Sequence, residues 1–205
     1  MSVDEHDIAL LQAWRSGDRD AGDALVRTYY PQILGYFRLR AAGDAEDLTQ
    51  RTFLACSEGR GDVTTVRGYL FGTARNLLYK HARSAGRRAR SANVPLPRAQ
   101  STLTPSSLVA LRQEHFILLQ ALQQLRRGQQ EVLALHYVHA LQSREIAEAM
   151  EIPVSTVTTR LARARDALRK EIGSLPAPAK FRDSLSGDLD KWTVSLGPLV
   201  HGTAE

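Results

Sequence analysis

The chain has 205 residues, of which 43% are apolar and 24% charged, and a formal net charge of +5 at pH 7, which fits one domain or two small ones of ordinary soluble composition. No apolar run approaches the ~20 residues that a bilayer-spanning helix needs, and Met1 is followed by Asp4, Glu5 and Asp7 instead of the basic start of a signal peptide. A cytoplasmic protein is expected, and the single cysteine, Cys56, excludes an internal disulfide and any cysteine-rich zinc site. Cys56 follows Phe53, Leu54 and Ala55 in a helical pattern, so a buried, inert thiol is expected. The charge is unevenly spread. Acids outnumber bases between Met1 and Asp62, whereas from Val63 to Gln113 no Asp or Glu accompanies Arg67, Arg75, Lys80, Arg83, Arg87, Arg88, Arg90, Arg98 and Arg112. Such a block expects a polyanion.

In chain order, residues 5–83 read as a compact helical domain. Ile8, Leu11, Leu25, Val26, Tyr29, Ile33, Leu34 and Phe37 recur at helical spacings, broken by Gly17-Asp18 and Gly43-Asp44. In the segment from Asp44 to Leu54, Asp47, Gln50 and Arg51 share one helix face and Leu48, followed by Ala55, takes the other. Leu54 falls on the polar face, as a partner surface requires and a solvated face does not. The stretch from Arg67 to Arg83 interleaves Tyr69, Phe71 and Tyr79 with Arg67, Arg75, Lys80 and Arg83. Aromatic faces among bases hold single strands, because an unstacked base lies on a ring while arginines track the backbone. Tyr69 and Phe71 are equally open to a place in the core.

Residues 84–106 are rich in Ser, Gly, Arg and Gln and include Pro95, Pro97 and Pro105, which is the composition of a flexible basic linker. Residues 107–172 resume a helical pattern with Leu108, Leu111, Leu118, Leu119, Leu122 and Leu125, then Val132, Leu133, Leu135 and Tyr137, with room for four helices. They end in two short helices around a tight turn. Ile146, Ala147 and Met150 give the first helix an apolar face, and Ile152 plugs the turn. Val157, Leu161, Ala164 and Leu168 bury one side of the second helix, while Ser155, Thr158, Thr159, Ala162 and Arg163 occupy the other. Short polar side chains backed by arginines near a helix N-terminus suit base edges and phosphates, the pattern of a helix-turn-helix aimed at DNA. The bland alternative is a helical hairpin with a solvated basic face. Residues 173–205 place Phe181, Leu185, Leu189, Trp192 and Leu196 on one side of a short helix, which leaves docking on the chain's own domains, a regulatory clasp, a partner site and disorder all open.

The order of these parts, Glu-Asp-Leu-x-Gln-x-Thr-Phe, then Ala-Arg-Asn-Leu, a linker, and Pro-Val-Ser-Thr-Val-x-x-Arg-Leu-x-Arg-Ala-Arg, resembles an RNA polymerase sigma factor of the extracytoplasmic-function group over about Glu5 to Ile172. The resemblance implies an all-α chain of two helical domains. The first, residues 5–83, would bind core polymerase through Asp47, Gln50 and Arg51. It would also recognise and melt the minus-10 promoter element through Arg67, Tyr69, Arg75, Asn76, Lys80 and Arg83, with the loop from Arg60 to Arg67 and Asn76 at the position that captures a flipped base. The second, residues 107–172, would read the minus-35 element in the major groove through Ser155, Thr156, Thr158, Thr159, Ala162 and Arg163. Core RNA polymerase and promoter DNA, duplex and melted, are the implied partners. An anti-sigma factor is admitted and neither cofactor nor metal is expected.

The chain departs from the family pattern at several points. Arg51 stands where an acid is usual, which puts the clamp contact in doubt. Tyr69 takes a tryptophan position, and Gly72 and Thr73 replace Arg-Ile, lowering helix propensity. Glu151 takes a turn position usually held by Gly, and Thr158 replaces a base. The competing reading is a helix-turn-helix regulator that does not bind polymerase, which purified core enzyme discriminates. An enzyme is not expected: the six histidines show no ligand motif with carboxylates, and no nucleophile elbow or phosphate loop occurs. His136 and His139 are expected on a helix surface.

Overall fold

Residues 3–91 and 113–176, with 178, 183 and 187, are described by the computed structural model, and among them every regular element is a helix. They form two compact units. In the first, α1 (Val3–Arg15) opens on Asp4 and Glu5, which favour the positive end of the helix dipole. Gly17, at φ +104°, supplies the left-handed turn after it. Asp18 then caps α2 (Arg19–Arg38), its carboxylate accepting from the amides of Asp20 at 3.0 Å and Ala21 at 3.1 Å. The two helices pack closely because Gly22 has no side chain: a Cβ there would lie 2.4 Å from the Trp14 ring.

A 3₁₀ turn (Ala42–Asp44) leads into α3 (Ala45–Glu58), and α4 spans Val66–Ser91. Leu11, Leu25, Tyr29, Ile33, Phe37 and Leu48 are buried as their spacing predicts, while Ile8, Val26 and Leu34 are half-buried. Tyr36, which the spacing does not single out, is fully buried, with ring edges against Phe37 at 5.4 Å and Phe71 at 5.6 Å. Two polar side chains also enter this core. Thr49 and Thr52 donate to the carbonyls of Ala45 and Leu48 at 2.7 and 2.8 Å, which satisfies their hydroxyls without water. Ala55, expected on the core face, is only half-buried. Helix α4 runs unbroken through Gly72 and Thr73 and continues to Ser91, so the expected linker from residue 84 begins as helix. The rest of that linker lies outside the described residues.

The second unit comprises α5 (Gln113–Gln124), α6 (Arg127–Leu133), a π-helical turn (Ala134–Val138), α7 (Ser143–Met150) as far as Ala147, and α8 (Val154–Ser174), while Glu148–Glu151 group with the first unit. Leu118, Leu125, Val132, Leu133, Leu135 and Tyr137 are buried as expected, and Leu119 and Leu122 half-buried. Leu108 and Leu111 are outside the described residues. The expectation that His136 and His139 lie on a helix surface is overturned for His139. His139 is buried, and His136 is half-buried, its Nδ1 3.2 Å from the Leu141 carbonyl. The π turn inserts an extra residue per turn and so rotates everything after it out of the 3.6-residue phase. The apolar tail residues Phe181, Leu185, Leu189, Trp192 and Leu196 lie outside the described residues.

Candidate nucleic-acid interface

Helix α7 ends in a turn closed by two bonds, Ile152 N–H to the Ala147 carbonyl at 3.1 Å and Glu151 N–H to the Glu148 carbonyl at 3.2 Å. This is a Schellman closure, which demands a left-handed residue in the position of Glu151. Glu151 indeed adopts φ +54°, a conformation that costs an L side chain about 1 kcal/mol. Ile146 and Met150 are buried on the apolar face of α7, whereas Ala147 and the turn residue Ile152 are only half-buried.

Pro153 then starts α8 with φ −60° and its carbonyl accepts from Thr156 and Val157. No side chain caps this end and no acid sits in its first turn, so its positive end is uncompensated. Val157, Leu161, Ala164, Leu168 and Ile172 are all buried. On the other side Ser155, Thr158, Thr159, Ala162 and Arg163 are exposed, and Thr156 is half-buried at the border. The Thr158 and Thr159 hydroxyls donate to the carbonyls of Val154 at 3.2 Å and Ser155 at 3.0 Å. Their protons are thereby engaged, and they present acceptor lone pairs and methyl groups outward. Arg165 belongs to neither face: it stacks 5.5 Å from the Tyr137 ring centroid and donates to that residue's hydroxyl, holding α8 against the π turn.

In the first unit the sequence-predicted bases do not form one patch. Tyr69, Asn76, Lys80 and Arg83 fall at i, i+7, i+11 and i+14 of α4 and share one stripe. Tyr69 is half-buried and the other three exposed. Arg75 lies beside the stripe with its guanidinium 5.0 Å from the centroid of Tyr79. Arg67 turns towards α2, where its Nε donates to Gln32 Oε1 at 2.8 Å. Phe71, for which core and nucleic-acid roles were both open, is fully buried against Tyr36 and is core.

Sequence reasoning missed two residues here. Arg15, at the end of α1, lies 5.3 Å from the Tyr69 ring centroid and donates to the carbonyls of Cys56 at 3.1 Å and Gly61 at 3.0 Å. Gly59 is the other: its φ of −67° suits any residue, but a Cβ would lie 2.3 Å from the Tyr69 hydroxyl oxygen.

On α3, Asp47, Gln50 and Arg51 are exposed together. Arg51 Nη1 is 3.3 Å from Asp47 Oδ2, an exposed i, i+4 pair. The base that breaks the family pattern is thus partly neutralised within its own helix. Among the described residues two large apolar side chains are exposed, Leu54 at 58% and Val154 at 44%. Both lie on these candidate surfaces, at the α3 polar face and the first turn of α8. Cys56 is fully buried, and desolvation raises its thiol from the ordinary 9.0 to about 11, against smaller opposing effects of the Thr73 hydrogen bond and the Arg15 charge. The thiol therefore stays protonated at neutral pH. Among the described residues no helix is long and apolar enough to cross a membrane, and no cluster of three or more metal-ligating side chains occurs.

The comparisons with known proteins agree with this arrangement. Sigma-70 region 2 matches residues 25–88, and Sigma-70 region 4 matches residues 115–168. The chain is 29% identical to the RNA polymerase sigma-H factor of Pseudomonas aeruginosa over 190 residues, covering 85% of this chain and 98% of that one. It is 26% identical to the ECF RNA polymerase sigma-E factor of Escherichia coli K12 over 189 residues, with the same coverage. Among solved structures, CnrH in complex with the cytosolic domain of CnrY shares the fold, with a TM-score of 0.54 at 22% identity over 82% of this chain and 98% of that one. Two sigma regions in order on an all-helical chain, with full-length relatives of the same kind, make this chain a member of the sigma-70 family in its extracytoplasmic-function group, an alternative sigma factor that joins core RNA polymerase and directs promoter recognition and transcription initiation.

Proposed function

We propose that the three surfaces divide the work of a sigma factor between them. The exposed face of α8, with Ser155, Thr156, Thr158, Thr159, Ala162 and Arg163, reads the minus-35 element. The α4 stripe of Tyr69, Asn76, Lys80 and Arg83, flanked by Arg75 and Arg67, holds the melted minus-10 strand. Asp47, Gln50 and Arg51, with the exposed Leu54 among them, bind the polymerase clamp. The observation that carries this reading is the separation of α8 into one wholly buried apolar side and one exposed polar side. Such a helix presents short side chains to base edges with an arginine behind them.

The same reading makes the protein a cytoplasmic regulator without chemistry of its own, supported by its family. A partner that masks these surfaces is also proposed. CnrH, which shares the fold, was solved with the cytosolic domain of CnrY, and an anti-sigma factor would here be recognised by its ability to compete with core polymerase.

Two variants test the division. Arg163→Ala removes a side chain suited to a bidentate contact with guanine and should cost roughly 1–3 kcal/mol at the minus-35 element, with unchanged folding. A binding selection that returns the same promoter preference would refute the assignment. Replacing Asp47 and Gln50 together by Ala should weaken core polymerase binding while leaving minus-35 duplex binding intact. Native core affinity in that double variant would remove the α3 face from the interface.

A further inference from the structure

The loop between α3 and α4 precedes the stripe proposed to hold the melted strand, yet its own backbone does little to fix it. Among the described residues 60–64 make no backbone–backbone hydrogen bond. Glu148 accepts from the Thr64 N–H at 3.4 Å, and a second side chain that reaches the loop is that of Arg15. Its guanidinium gathers three elements: Nε bonds the Cys56 carbonyl in the last turn of α3 at 3.1 Å, Nη1 bonds the Gly61 carbonyl in the loop at 3.0 Å, and the plane lies 5.3 Å from the ring centroid of Tyr69 on α4. A cation at a helix C-terminus is favoured by the dipole, and a planar fork bonds two carbonyls while stacking on an aromatic face, which lysine cannot reproduce. The remaining nitrogen, Nη2, is buried without a hydrogen-bond partner. It sits where a Cβ on Gly59 would approach to 3.0 Å, and that Cβ would also strike the Tyr69 hydroxyl at 2.3 Å. Arg15, Gly59 and Tyr69 therefore form one close-packed unit.

We infer that Arg15 is a positioning residue for promoter melting: by tying the Gly61 carbonyl to α3 and backing the Tyr69 ring, it sets the loop and the aromatic face that receive the unpaired minus-10 strand. The inference rests on the proposed role of Tyr69 and the α4 stripe. It extends that role to a residue at the far end of the sequence segment, on α1, which touches no DNA itself.

The test uses the full chain in holoenzyme, with a single-stranded non-template minus-10 oligonucleotide and a complete promoter. Arg15→Gln should lower affinity for the oligonucleotide and the yield of open complex by about tenfold, the scale of losing charge-assisted hydrogen bonds. Binding to core polymerase and to a minus-35 duplex should not change. Arg15→Lys, which keeps the charge but not the fork, should recover only part of the loss. Gly59→Ala, whose Cβ would press on the Tyr69 hydroxyl and on Arg15 Nη2, should reproduce it. Tyr69→Ala is the control for the underlying reading: if it leaves oligonucleotide affinity unchanged, the assignment of the α4 stripe fails first. If Tyr69→Ala weakens binding but Arg15→Gln and Gly59→Ala do not, at a temperature where both remain folded, the positioning role is overturned. A lowered melting temperature with native oligonucleotide affinity would likewise assign Arg15 to structure alone.

Discussion

The surface of the second unit proposed to read DNA is made by one helix, whereas the basic surface of the first is assembled from four elements. On α8 the exposed residues and the buried stripe that supports them are a few residues apart in sequence, and helix geometry alone sets their relation. On α4 the orientation of Arg67 depends on Gln32 of α2, and that of Tyr69 on Arg15 of α1 and on the absence of a side chain at Gly59 after α3. A surface of the first kind survives any change that leaves the helix docked. The second kind depends on tertiary packing, and so is exposed to substitutions far from the nucleic acid.

The largest effect that sharpens this comparison is expected from Phe71→Ala. The ring is fully buried and meets Tyr36 edge-on at 5.6 Å, so truncation removes an aromatic contact between α4 and α2 and leaves a cavity. A loss of about 3–5 kcal/mol is expected for the first unit. Calorimetry should show one transition moving down while another, together with minus-35 duplex binding, stays in place. A single transition that shifts as a whole, with loss of duplex binding, would break the distinction between the two surfaces.

The same contrast explains what was legible in the sequence. The buried stripe Val157, Leu161, Ala164 and Leu168 and the exposed set opposite it follow from spacing, as does the polar face of α3 with Leu54 upon it. The turn position was marked too, because the family pattern places glycine where this chain has Glu151, but its left-handed conformation is read from the structure. What spacing does not carry is contact between distant segments: Arg15 meets Cys56 across 41 positions and Arg67 meets Gln32 across 35. Nor does it carry changes of helical phase. His139, read as a surface residue, is buried because the segment before it is π-helical and a 3.6-residue period does not continue through it. Thr49 and Thr52 were missed for a different reason. Their hydroxyls bond their own helix, so residues that read as polar pack as apolar ones.

A smaller effect probes the local backbone geometry of the turn that leads into α8. Glu151 holds φ +54° in the turn before α8. Glycine adopts this conformation freely, so Glu151→Gly should stabilise the turn by about 1 kcal/mol, offset in part by the greater freedom of the unfolded chain. For a domain of this size that corresponds to a rise of a few degrees in the melting midpoint. The substitution also removes the acceptor of the Asn76 Nδ2 bond at 3.5 Å, an exposed contact that contributes little. A fall in the midpoint would mean that the glutamate side chain contributes more than its backbone strain costs.

The smallest expected change in stability, and a sharp test of surface function, is Arg51→Glu. The Arg51–Asp47 pair is exposed, with the two side chains 55% and 66% accessible, and pairs of this kind contribute only a few tenths of a kcal/mol. Replacing the base by an acid removes that attraction and sets two carboxylates one turn apart, so folding should weaken by no more than about 0.5 kcal/mol. The effect on assembly should have the opposite sign. Asp47 is released from its intrahelical partner, and the acid usual at this position is restored, so affinity for a heterologous core polymerase should be equal to that of the parent chain or higher. Competition binding against the parent checks both at once. Weaker assembly, with folding intact, would show that Arg51 itself contacts a polymerase and that the charge reversal is an adaptation to a particular clamp surface rather than a departure tolerated within the helix.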